Sequence, residues 1–224
     1  GYDPRKMVVI QNGYDLSRWV RNETARRTLR NEWGLGEQIP LMGFVARWNP
    51  LKDHATLIKA FAQCLAKQPD LHCVLVGKDM DDGNPVLMGL LTEYGVREKT
   101  ILLGMRNDVP SIMSALDLHV LSSIAEGFPN VVAEAMACGV PNVVTNVGDA
   151  ALIVGEDGWV APASDPERLA EKIIQALDYI EETGKSTLAR QVRERVMNAF
   201  SLEKMVAGYR QTWMDMLSEN GKTK

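Results

Sequence analysis

The sequence predicts an α/β domain, a mostly parallel sheet covered by helices on both faces. Three observations carry that reading. Short, solidly apolar, β-rich runs recur along the chain; segments with helical periodicity separate them; and charged, polar and glycine residues collect immediately after the runs. Alternation of this kind builds βαβ units, and strands buried on both faces are apolar throughout.

The strand runs are "LMGFVA" (41–46), "LHCVLVG" (71–77), "TILLG" (100–104), "DLHVLS" (117–122) and "PNVVTN" (141–146), with "GWVAPA" a short further strand. Between the first two, "DHATLIKAFAQCLAK" (53–67) places Leu57, Ile58, Phe61 and Leu65 on one helical face, with Asp53 as its cap. The segment "DPERLAEKIIQALDYI" opens a helix with Asp165 as cap and Pro166 at its first position. Residues 186–217 read as two helices broken near "FS" (200–201), where Ser201 can cap the second. In that last helix Leu202, Met205, Val206, Tyr209, Trp213 and Met216 form an apolar stripe, either packed on this domain's own core or docked on a further domain that leaves Trp213 and Met216 exposed here. The plan is Rossmann-like, without internal repeats.

Composition narrows the function classes. The chain has 224 residues, 46% hydrophobic and 24% charged, enough to bury a real core. A formal net charge of −4, with Lys and Arg spread along the chain, gives no footprint for nucleic acid. No stretch reaches the roughly 18 to 20 apolar residues of a membrane span, and no charged-then-apolar leader is evident. Cys64, Cys73 and Cys138 are odd in number and far apart, as expected of reduced thiols in a cytoplasmic protein. His54, His72 and His119 have no metal-ligand spacing, so no metal is expected. The opening "GYDPRKMVVIQNGYDLSRW" lacks an initiating methionine, as if cut from something longer.

In a sheet of this type ligands bind outside the carboxyl ends of the strands. The segments falling there are "RWNPLKD", "GKDMDDG", "GMRNDVP", "SSIAEGFPN" and "VGDA". Arg47 and Lys52, close to a helix start, suit a pyrophosphate, Arg as a fork and Lys as a point charge; the bland alternative is a pair of solvated cations. In "SSIAEGFPNVVAEAMACGVP", Pro129 suits a first helical position. Glu126 then stands in the preceding loop, and Glu134 lies roughly 7 to 8 Å along the helix. The amides of Gly127, Phe128 and Asn130 form an anion site between them. Carboxylates flanking an anion site need other partners, and vicinal hydroxyls serve. A ligand with diol, diphosphate and diol is a nucleotide sugar. Alternatively Glu126 is solvated and Glu134 pairs with a neighbouring cation. A glycosidase carboxylate pair fits less well, because Arg47, Lys52 and the anion site have no task in it.

The segments "ARWNPLKDHATLIKAF", "LLGMRNDVPSIMSALDLHVLSSIAEGFPNVVAEAMACGVPNVVTNVGDAALIVGEDGWVAPASDPERLAEKI" and "FSLEKMVAGYRQTW" closely resemble the C-terminal half of GT-B glycosyltransferases, specifically retaining family 4. The likeness runs almost end to end, from "QNGYDLSRW" to the last helix, and rests on E-x7-E and R-x4-K patterns occurring in order. It implies a nucleotide-sugar (donor) binding domain over 1–200, a crossover helix and tail over 201–224, and an N-terminal acceptor domain absent from this chain. It further implies that Arg47 and Lys52 hold the diphosphate and stabilise charge on the leaving nucleotide without a metal. Glu126 contacts hydroxyls of the transferred sugar, with Gly127, Phe128, Pro129 and Asn130 nearby, and Glu134 holds the ribose diol. The loop from Met105 through Arg106 to Val109 meets the base. The expected partners are a nucleotide diphosphate sugar and the chain's own N-terminal domain, with peripheral association at the inner membrane face in polysaccharide or glycolipid assembly. Two positions depart from the family pattern: Ala46 replaces the usual glycine, and Asn146 a common aspartate. A non-catalytic nucleotide- or protein-binding module on the same scaffold is the alternative.

Overall fold

The computed structural model describes residue 3 and residues 6–221; residues 1, 2, 4 and 5 of the expected domain, and 222–224 of the expected tail, lie outside the described residues. The strands are β1 (Leu41–Val45), β2 (His72–Val76), β3 (Thr100–Leu102), β4 (Leu118–Leu121), β5 (Asn142–Thr145) and β6 (Trp159–Ala161). The helices are α1 (Glu23–Glu32), α2 (His54–Cys64), α3 (Pro85–Glu93), α4 (Val109–Ala115), α5 (Asn130–Ala137), α6 (Ala150–Val154), α7 (Pro166–Thr183), α8 (Lys185–Ala199) and α9 (Leu202–Gly221). Among the described residues the strands form one sheet in the order β3-β2-β1-β4-β5-β6, every pairing parallel.

That order reverses between β1 and β4. At such a switch point the two following loops leave in opposite directions and open a crevice. Strands β1, β2, β4 and β5 are buried on both faces, as their apolar composition requires, while the edge strands β3 and β6 are partly exposed. Met42, Phe44, Cys73 and Leu75 join one apolar cluster with Leu57 and Phe61 of α2 and Leu169 and Ile173 of α7. Leu41, Val74 and Val76, one step out of phase, join a second cluster with Leu29 of α1 and Ile112 of α4. The three cysteines are buried and unpaired.

The capping chemistry mostly follows the sequence. Asp53 accepts from the Thr56 amide at 3.2 Å, and Asp165 from the Arg168 amide at 2.9 Å. Ser201 accepts from the Lys204 amide at 3.3 Å and opens α9. Pro129 differs: it is the cap of α5 and not its first helical residue. Its ψ of 92° is extended, so helical geometry begins at Asn130.

The apolar stripe of α9 divides. Met205 is tied to the Gly13 amide, which donates to its sulfur at 3.2 Å. Val206, Tyr209, Trp213 and Met216 stay exposed, Trp213 at 63%. Of the two readings of this stripe, the structure supports an uncovered patch over packing on the core. A groove of about 990 Å³ runs beside it, between residues 8–12 and α9.

Candidate functional site

The loops after β1, β4 and β5 are stitched together at the switch point. After β1, a single 3-10 turn (Pro50–Lys52) is capped by Asn49, which accepts from the Leu51 amide at 2.9 Å. Asp53 follows in left-handed geometry, φ 47°. The loop after β4 bonds to this turn twice: Ser122 Oγ donates to the Lys52 carbonyl at 2.8 Å, and the Ile124 amide to the Leu51 carbonyl at 2.9 Å. From β5, Thr145 Oγ1 donates to the Ser123 carbonyl at 2.6 Å and the Asp149 amide to the Gly127 carbonyl at 2.8 Å. Gly148 makes that approach possible. Its φ is 50°, and a Cβ there would collide with the carbonyl oxygens of Glu126 and Gly127.

A cleft of about 530 Å³ opens over these loops. Of the residues expected from the sequence it is lined by Arg47, Lys52, Val109, Glu126, Phe128, Pro129, Asn130 and Glu134. Met105, Arg106 and Gly127 are not among its lining residues. Met105 is 75% exposed. Arg106 is engaged by Asp108 through two bonds of 2.7 Å, one to each carboxylate oxygen. Ala46 lines the cleft beside Arg47, and its carbonyl oxygen is where a side chain at Gly77 would collide.

The charged residues behave differently from one another. Arg47 is exposed and has no hydrogen bond or ion pair among the described residues. Lys52 Nζ lies 2.5 Å from Glu126 Oε1, the same oxygen that accepts from Ser123 Oγ at 2.6 Å. Glu134 is half-buried on α5, and burial raises its pKa above the ordinary 4.5. Behind the cationic loop, His54 is buried against the rings of Trp48 and Phe44, at centroid distances of 4.3 and 5.1 Å. Burial, opposed by the neighbouring Asp53 charge and assisted to a smaller extent by Lys52, lowers its pKa to about 4, so the imidazole is neutral there. The first residues of α5 line the same cleft, which puts the positive end of the helix dipole beside it, a disposition suited to an anion.

Sequence reasoning missed several contributors. Trp19 lines the cleft, held by Arg193 of α8, whose guanidinium donates to the Trp19 carbonyl at 2.5 Å and the Leu16 carbonyl at 3.2 Å. Tyr14 stacks on Phe128 with ring centroids 6.3 Å apart and donates to Asn130 Oδ1 at 2.7 Å. Both lie in "QNGYDLSRW", where neither periodicity nor charge marks them. Among the described residues no group of three or more His, Cys, Asp or Glu could hold a metal ion, and no helix is long and apolar enough to cross a membrane.

Comparison with known proteins agrees with this fold. The family described as "Glycosyl transferases group 1" matches residues 39–179. A UDP-Gal:alpha-D-GlcNAc-diphosphoundecaprenol alpha-1,3-galactosyltransferase of Escherichia coli is 27% identical over 219 residues, which is 96% of this chain and 56% of that protein. The crystal structure of Anabaena HepE in complex with UDP superposes with a TM-score of 0.79 at 28% identity, covering 94% of this chain and 57% of the other. The C-terminal domain of a glycosyl transferase group 1 family protein from Francisella tularensis shares the fold, with a TM-score of 0.70 at 23% identity over 85% of this chain and all of that one. The chain spans about half the length of the curated relatives it matches. With the family's segment covering all six strands of the sheet and both loops of the switch point, the chain belongs to the group 1 glycosyl transferases and has the Rossmann-like fold of a GT-B C-terminal half.

Proposed function

We propose that this chain is the donor-binding domain of a retaining glycosyltransferase, an enzyme that moves a sugar from a nucleoside diphosphate sugar to a hydroxyl acceptor. The observation that carries the reading is the convergence of Arg47, Lys52, Glu126 and Glu134 on one cleft at the β1/β4 switch point, with the α5 N-terminus between the two carboxylates. Arg47 and Lys52 bind the diphosphate and, with the α5 dipole, meet the negative charge that builds on the leaving nucleotide. Glu134 accepts from the ribose diol, and Glu126 from hydroxyls of the transferred sugar. These cations and amides are the groups assigned to charge stabilisation, so no metal is assigned to donor binding. Backbone atoms of the 105–109 loop meet the base.

An N-terminal domain supplies acceptor recognition and packs on the exposed α9 stripe, closing the other half of the cleft. The intact protein works at the cytoplasmic face of a membrane on a polysaccharide or glycolipid. UDP is the first nucleotide to try, since HepE was solved with it and the E. coli relative is named for a UDP-sugar. Calorimetric titration with UDP, GDP and ADP, with and without EDTA, tests the reading. It expects one diphosphate to bind and EDTA to leave that binding unchanged; binding of none by the chain in its full-length context overturns it.

A further inference from the structure

Asn130, the first residue of α5, lines the cleft, and its side-chain oxygen is claimed from outside the cleft motif. Tyr14 Oη donates to Asn130 Oδ1 at 2.7 Å, and Asn12 Nδ2 donates to the same oxygen at 3.1 Å. An amide oxygen has two lone pairs, so two converging donors saturate it. The Asn130 NH2 group makes no hydrogen bond among the described residues. Its orientation is fixed while its donor capacity is unspent.

The tyrosine is itself anchored. Its amide donates to the Phe200 carbonyl at 2.9 Å, and its carbonyl accepts from the Leu202 amide at 3.0 Å, pinning it to the α8–α9 junction. Its ring stacks on Phe128, which meets Phe200 edge-on at 5.6 Å. Burial first, and the nearby Glu134 charge second, push the phenol pKa well above its ordinary value of 10. The hydroxyl therefore stays protonated and remains a donor at any working pH.

We propose that Tyr14 and Asn12 are positioning residues for the phosphate subsite: they lock the Asn130 side chain so that its NH2 group donates to a phosphate oxygen of a bound nucleoside diphosphate. The inference rests on the nucleotide-sugar reading. It adds a side-chain donor to the amides and cations already assigned there. A free phosphate-bearing nucleotide and a nucleotide sugar offer the same oxygens, so the subsite serves both.

The test uses Tyr14→Phe, which keeps the ring on Phe128 and removes only the hydroxyl, together with Asn130→Asp, which keeps the acceptor oxygen and replaces the NH2 donor with a negatively charged oxygen. The full-length chain is titrated with the diphosphate that the wild type binds among UDP, GDP and ADP. Tyr14→Phe is expected to weaken binding about three- to tenfold with an unchanged melting temperature. Asn130→Asp is expected to weaken it more, and the double variant to be no worse than Asn130→Asp alone, because the hydroxyl acts only through the amide. Unchanged affinity in Tyr14→Phe, or losses that simply add in the double variant, overturns the proposal while leaving the donor site intact. Absence of any diphosphate binding by the wild type instead overturns the nucleotide-sugar reading, and this inference with it.

Discussion

Lys52 Nζ and Glu126 Oε1 lie 2.5 Å apart across the crevice between the loops of β1 and β4. The cation assigned to the diphosphate and the carboxylate assigned to the sugar are thus each other's partners. Both side chains are largely buried, so neither is freely solvated if the other leaves. An incoming phosphate must compete with Glu126 for the ammonium, and winning it releases a carboxylate oxygen beside the sugar. Lys52→Ala should weaken diphosphate binding by about tenfold or more, the scale of a charge-assisted hydrogen bond. Glu126→Gln should bind the bare diphosphate as tightly as the wild type or tighter, and lose the extra affinity that the attached sugar provides. Calorimetry with the diphosphate and its sugar conjugate separates the two. Equal loss for both ligands in Glu126→Gln would assign Glu126 to holding the loop.

Glu134 gives a pH signature with opposite signs for folding and binding. Its carboxyl is raised above 4.5 by burial, so the folded chain holds the proton more tightly than the unfolded chain does. Its contribution to stability is full below the unfolded value and lost as pH rises through the folded one. The diol needs the ionised carboxylate as acceptor, so ribonucleotide affinity should rise over that same window. Glu134→Gln should flatten both profiles and weaken a ribonucleotide more than its 2′-deoxy analogue. Equal weakening of the two nucleotides would remove Glu134 from the ribose subsite.

The sheet was legible because buried parallel strands write themselves as apolar runs, and the crevice because loops after strands share one edge. The E-x7-E spacing was legible for a similar reason: a loop carboxylate and a helix carboxylate end on one cleft whichever residue begins the helix, so the shift of α5 from Pro129 to Asn130 changes little. Helix α1 was not legible. Its charged sequence "ETARRTLRNE" carries no mark of burial, yet Arg26 and Arg30 are 3% and 1% exposed. Their partner, Asp117, stands 91 residues from Arg26 and 87 from Arg30 in sequence, just before β4. It accepts from Arg26 at 2.8 Å, from Lys185 at 2.8 Å and from the Leu41 amide at 3.0 Å, with Arg30 at 3.4 Å. Charge that pairs across the fold leaves no local pattern to read.

That cluster makes its own prediction. Asp117→Asn removes the buried counter-charge that Arg26 and Arg30 share, although the half-exposed Glu37 still pairs with Arg26 at 3.2 Å and carbonyls of Ala115 and Leu116 still accept from it. Breaking a buried pair from one side costs about 3–5 kcal/mol, and urea unfolding should show a loss near the lower end of that range. A loss below about 1 kcal/mol would mean that the backbone carbonyls, with Glu37 beside Arg26, satisfy the arginines without Asp117.

Gly148 tests whether the stitching of loops sets the site's geometry. The residue sits at φ 50°, and its backbone packs so closely on the Glu126 and Gly127 carbonyls that a methyl group cannot be accommodated in place. Gly148→Ala must therefore push the Glu126 loop away from β5 or distort the turn that leads to the Asp149–Gly127 bond. Either movement shifts Glu126 relative to Lys52, which is fixed from the other side by the Ser122 and Ile124 bonds. Conformational strain of this kind costs about 1–2 kcal/mol, so the variant should fold with a modestly lower melting temperature. Its affinity for the sugar conjugate should fall several-fold more than its affinity for the bare diphosphate, since Arg47 and Lys52 stand on the β1 loop, across the crevice from Gly148. Parallel loss for both ligands would show that the β5 loop supports the whole cleft instead of the sugar-facing carboxylate.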